Sequence, residues 1–172
     1  MSVRHLCSAA TLLVLAGCGS PPVPPPSAEA GPLEGTWRLA EMRLLHPDGS
    51  AVALSPRESF FLFAGGSYSM SWAFGEGPSP AYAERWTPSA EERLARFGSM
   101  LVNAGTFTLE EDRMVARPHF AVAPEFVGGE GRFRFAFAGD TLELTWDESL
   151  AFDGLPYPGG GTRTLLRLVR IR

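Results

Sequence analysis

The chain has 172 residues, 45% of them hydrophobic, and a formal net charge of −4. That length fits one domain, and the mild acidity argues against nucleic acid as a partner. All 15 of its Lys and Arg positions are Arg, a bias that a GC-rich genome accounts for without special chemistry.

The chain opens with Arg4 and His5, then an apolar stretch over 9–14, then Leu15-Ala16-Gly17-Cys18. A positive start, a short apolar core and small residues before a cut describe a secretory signal peptide. The apolar stretch falls short of the roughly 20 residues a spanning helix needs. The Leu-Ala-Gly-Cys ending resembles the lipobox of bacterial lipoproteins. That resemblance implies a diacylglyceryl group on the Cys18 sulfur, cleavage before Cys18 and acylation, palmitate being the typical chain, of the new N-terminus. The expected organisation is a signal peptide over 1–17, a lipidated Cys18 with a proline-rich tether over 18–32, and a folded domain over 33–172. Cleavage removes Cys7, and the lipid consumes Cys18, so neither disulfides nor thiol chemistry are expected. Six prolines within residues 19–34 favour extended geometry at about 3.1 Å per residue. The expected address is the bacterial cell envelope, with the membrane as partner through the N-terminal lipid. Gly19 where an Asp would signal inner-membrane retention leans toward the outer membrane, facing the periplasm, if the cell is Gram-negative.

From Gly35 onward the dominant period is two. In residues 67–74, Ser67, Ser69, Ser71 and Ala73 face one way and Tyr68, Met70, Trp72 and Phe74 the other. Residues 132–137 and 141–146 alternate in the same manner, which marks half-buried antiparallel strands. Further strands are predicted at 36–45, 60–64, 105–110, 114–117 and 162–171. Pro47-Asp48-Gly49, Gly65-Gly66, Glu110-Glu111-Asp112 and Gly139-Asp140 read as hairpin turns between them. Residues 75–80 and 153–161, rich in Gly and Pro, read as longer loops. One segment breaks the pattern: residues 87–97 predict a helix, with Pro88 in its first turn, a Ser89/Glu92 capping box and Gly98 as its stop. The expected fold is all-β, an antiparallel up-and-down barrel of about eight strands with one short helix.

Three stretches resemble the bacterial lipocalin-like domain family. The first is Leu33-Glu34-Gly35-Thr36-Trp37-Arg38-Leu39, with its Gly-x-Trp. The second is Gly66-Ser67-Tyr68-Ser69-Met70 with the helix that follows. The third runs from Ala104-Gly105-Thr106-Phe107 through Pro124-Glu125-Phe126 and Arg132-Phe133-Arg134-Phe135 to Gly139-Asp140-Thr141-Leu142. The resemblance implies that Gly35 and Trp37 close one barrel end beneath an arginine of the last strand, with Arg163, Arg167 and Arg170 as candidates. The signature and disulfide pattern of the secreted eukaryotic lipocalins are absent.

Chemistry is sparse. His46 reads as a solvated turn residue and His119 as a rim residue or a satisfied core residue. Two histidines without a Cys or Glu cluster do not make a zinc site, and no cofactor is expected. Asp147-Glu148 reads as a charged loop start, the alternative being a cavity mouth with a raised carboxyl pKa. If the protein were an enzyme, His119 or Asp147 would be its base, but no catalytic constellation emerges and a non-enzyme is expected. Tyr68, Met70, Trp72, Phe74, Phe133, Phe135 and Trp146 are the candidate ligand-binding residues, for a small hydrophobic molecule carried inside a monomeric barrel. The other reading is a barrel filled by these same side chains, acting as a structural or interaction module of the envelope.

Overall fold

The computed structural model describes residues 31–159 and 161–171. The expected signal peptide, Cys18 and the expected tether up to residue 30 lie outside the described residues. The strands are β1 (Gly35–Leu45), β2 (Ala51–Leu54), β3 (Pro56–Ala64), β4 (Ser67–Phe74), β5 (Met100–Glu110), β6 (Arg113–Ala121), β7 (Glu130–Ala138), β8 (Thr141–Leu150) and β9 (Arg163–Arg170). A helix, α1 (Ala90–Gly98), sits between β4 and β5. Every pairing is antiparallel, and β1 pairs with β9, so the sheet closes. β1 and β3 to β9 form an eight-stranded barrel of lipocalin-like fold, and closure removes the open edges that a β-sheet must otherwise protect.

β2 is the strand that sequence pattern missed. Its residues Ala51, Val52 and Ala53 are exposed and carry no alternation. It pairs with β1 at Met42↔Leu54, on the same edge where Trp37 pairs with Phe61 of β3. Between those pairs the register slips, and the Leu39 N–H donates to Ser59 Oγ at 2.8 Å. β2 and β3 are thus two halves of one bent strand.

Strands β5 and β6 run longer than periodicity indicated, because each carries an irregularity. Their register shifts between Ala104 and Gly105. A Cβ on Gly105 would overlap the Arg117 carbonyl, so only glycine lets the strands approach there. Pro118, opposite Gly105, cannot donate to the ladder and is tolerated at this bulge.

The helix is corrected by one turn position. Ser89 is its N-cap, with the capping box to Glu92 formed, so Pro88 lies before the cap rather than in the first turn. Gly98 is still helical, and Ser99 closes the end by donating to the Ala95 and Arg96 carbonyls. Leu94 and Phe97 share a face, but that face is exposed.

Inside the barrel, the alternation resolves as the sequence indicates. Tyr68, Met70 and Trp72 point inward against Phe61, Phe63, Met114, Phe133, Leu142, Leu144, Leu166 and Leu168, all at most 4% exposed. The antiparallel order sorts the connections to two ends. At one end lie the incoming N-terminal segment and the tight turns at 65–66, 111–112 and 139–140. At the other lie residues 46–50, 75–99 with α1, 122–129, 151–159 and 161–162.

Candidate functional site

The tight-turn end is sealed. Leu33 is fully buried beneath it, and the Trp37 indole N–H donates to the Leu33 carbonyl at 2.9 Å. The guanidinium of Arg170, not of Arg163 or Arg167, lies 4.1 Å from the Trp37 ring, a cation–π contact. The same guanidinium donates to the Glu34 carbonyl at 2.7 Å. Gly35 has φ of 127°, and a Cβ there would strike the Arg170 guanidinium. Gly-x-Trp therefore has a local reason: the glycine clears space for the arginine that covers the tryptophan.

The interior is occupied by side chains. Trp72 stacks on Phe61 with centroids 5.6 Å apart and meets the half-buried Phe74 edge-on at 6.4 Å. Phe133 stacks on Trp146 at 5.3 Å, and Phe135 is half-buried. Tyr68 donates to the buried Asn103 Oδ1, and burial pushes the Tyr68 hydroxyl pKa up, so this pair stays neutral. Two clefts stand out among the described residues, of about 260 Å³ and 180 Å³, and both are open to solvent. The larger lies where Arg96 of α1 reaches Glu58 across β3 and β4. Of the candidate ligand-binding residues, Tyr68, Met70, Trp72 and Phe133 are buried in the core and the other three pack against it. Among the described residues two buried side-chain N–H groups have no acceptor, Arg57 Nε and the Trp72 indole, and of these the indole belongs to the barrel core.

The aromatic packing does not stop at the core. Phe126, in the loop after β6, contacts Trp146 at 6.2 Å, and Tyr157 contacts Phe126 at 5.8 Å. A chain of rings runs from Phe133 out to the loop-bearing end. Phe126 and Tyr157 sit in Pro/Gly-rich loops where no periodicity marks them.

That end also carries exposed apolar side chains, among them Phe152, Leu155 and Tyr157 of the loop after β8. Trp86 stands out. It is 88% exposed and has φ of 69°. The Thr87 N–H donates to the Glu84 carbonyl at 3.2 Å, so Trp86 occupies the third position of a β-turn, where Gly or Asn is usual. Glu92 fixes this turn to the helix, accepting from the Ala83 and Ser89 N–H groups at 2.7 Å each.

The acid/base candidates are not brought together. His119 is exposed on β6. Asp147 lies within β8 rather than at a loop start, and Arg134 bonds both its oxygens at 2.7 and 2.9 Å. That pairing lowers its pKa, where a cavity mouth would have raised it. His46 is half-buried, with Nδ1 3.1 Å from Thr162 Oγ1, and is not simply a solvated turn residue. Among the described residues no group of three or more metal-ligating side chains occurs, and no helix is long and apolar enough to cross a membrane.

No family model matches the chain, and no curated protein matches it significantly.

Proposed function

We propose that the protein is a lipid-tethered module of the bacterial envelope whose filled barrel is a rigid scaffold, and whose loop-bearing end docks another envelope protein. The observation that carries this reading is Trp86. A bulky residue at positive φ costs of order 1–3 kcal/mol, and such strain concentrates at functional positions. Trp86 gives nothing back in packing, since it is almost wholly exposed. Its turn is pinned to α1, so the backbone that presents the indole has little further entropy to lose on binding. Phe152, Leu155 and Tyr157 add apolar area at the same end. The chain enters the barrel at the opposite end, so a tether through Cys18 leaves the loops free of the anchor. Labelling with radioactive palmitate tests the anchor, which a Cys18→Ala variant must abolish. Recovery of a partner from crosslinked envelopes tests the docking face. Trp86→Ser combined with Tyr157→Ser is expected to lose that partner while the barrel stays folded.

Carriage of a small apolar molecule is the second reading, and the unpaired Trp72 N–H favours it, because a bound carbonyl or carboxyl would supply the missing acceptor. Native mass spectrometry of the detergent-extracted protein separates the two. The scaffold reading expects only the mass of the lipidated chain, and a further bound molecule supports carriage.

A further inference from the structure

Outside the barrel, charged side chains form rows across the strands, and the rows are not equivalent. Arg167 bonds Glu143 and Glu41 at 2.8 Å each, and Arg43 also pairs with Glu41, so that row balances. Arg117, Glu130, Arg132 and Glu148 form a second chain with as many acids as bases. The row between them does not balance. A register shift in the pairing of β7 and β8 leaves Asp147 as an extra residue beside Glu148, so consecutive carboxylates face outward. Arg134 takes Asp147, while Arg113 sits directly opposite Arg134 in the β6–β7 ladder. Like charges facing each other across a ladder are unfavourable. Among the described residues neither Arg113 nor Arg163 has a carboxylate within ion-pair distance, and both act on Asp147 only through space. Asp112, in the turn before β6, likewise acts on Arg134 only through space.

Arg113 also lines the cleft of about 180 Å³, with Val115, Arg132, Asp147 and Glu148 beside it on the outer face and the buried Met114 and Phe133 at its floor. Both carboxylates already hold arginines, which leaves the Arg113 guanidinium as the open donor. We propose that this cleft binds a phosphate-type oxyanion through Arg113, with Arg163 adding attraction from the far side of Asp147. A guanidinium fork suits a tetrahedral oxyanion, and Val115 offers apolar contact to a carbon group attached to it. The oxyanion belongs either to a phospholipid headgroup or to a soluble phosphate compound.

The test is an NMR titration of the ¹⁵N-labelled mature protein at low salt, following arginine Nε resonances. Inorganic phosphate is one probe. Phosphatidylcholine vesicles with and without phosphatidylglycerol are the other. The Arg113 resonance is expected to move saturably, ahead of the other arginines. Movement with phosphate upholds a soluble anion, and movement only with phosphatidylglycerol vesicles upholds a headgroup. Arg113→Gln is expected to weaken binding at least tenfold. Asp147→Asn, which releases Arg134 to the cleft, is expected to tighten it severalfold. An equal drift of all arginines, no movement, or an unchanged midpoint in Arg113→Gln overturns the site.

Discussion

Two tryptophans show how differently the two ends of this barrel are made. Trp37 is 1% exposed and its surroundings converge on it: Leu33 accepts from its N–H, Arg170 covers its ring, and Gly35 clears room for that arginine. Trp86 is 88% exposed and sits in a strained turn, braced from behind by Glu92. One end uses an indole to close the core; the other holds an indole out to solvent. Short turns suffice at the closed end, whereas the other end takes most of the irregular segments among the described residues. If the proposed docking holds, stability and recognition are separated along the barrel axis, and substitutions at the two ends should report on different properties.

The largest contrast is expected from truncating the indoles themselves. Trp37→Ala should cost about 3–5 kcal/mol by urea unfolding, the usual range for emptying a large core site. Trp86→Ala should fall within about 0.5 kcal/mol of the parent, as for other exposed positions. Equal losses would erase the distinction between the ends. Gly35→Ala should cost about 1–3 kcal/mol, since alanine there meets both positive φ and the Arg170 guanidinium; a neutral result would mean that Arg170 is not needed on Trp37. A smaller effect belongs to the barrel wall. Arg134 and Asp147 are partly exposed, so Arg134→Gln should cost about 0.5–1 kcal/mol near neutral pH. The sign of its pH dependence follows from the lowered Asp147 pKa. The pair stabilises above the ordinary aspartate value of 3.8, and that stabilisation is lost as pH falls through the depressed value. Parent and variant should therefore converge in acid, and a gap that widens there would contradict the pairing. The smallest change is expected from Trp86→Gly, where relief of strain and the flexibility of glycine nearly offset each other. Its melting temperature should match or slightly exceed the parent's.

Much of the barrel wall and the helix was legible in the sequence. Strict alternation in residues 67–74 and 132–137 put Tyr68, Met70, Trp72 and Phe133 inside, because period two assigns faces without reference to the rest of the fold. The Ser89/Glu92 capping box located α1 for the same reason, being a purely local device. What escaped depended on distant partners. β2 exists because β1 offers it an edge, not because Ala51–Leu54 has strand character. The choice of Arg170 over Arg163 and Arg167 is set by where β9 ends relative to Gly35. Asp147 faces Arg134 through a register shift that no spacing reveals. Phe126 and Tyr157 join the aromatic chain from loops, where position is decided by packing and not by period. Alternation placed the candidate ligand-binding side chains at the core, but whether such residues line a cavity or fill one is a matter of volumes, which alternation does not encode.

The proposed docking is confined to the loop-bearing end. Site-specific photocrosslinking in growing cells tests it most directly, with a benzoylphenylalanine placed at Leu155 in one strain and at Glu111, in a tight turn of the closed end, in another. Both positions are exposed, so neither probe perturbs the core. The account predicts a discrete protein adduct from position 155 and none from position 111. Adducts from position 111 alone, or the same adduct from both, would contradict it.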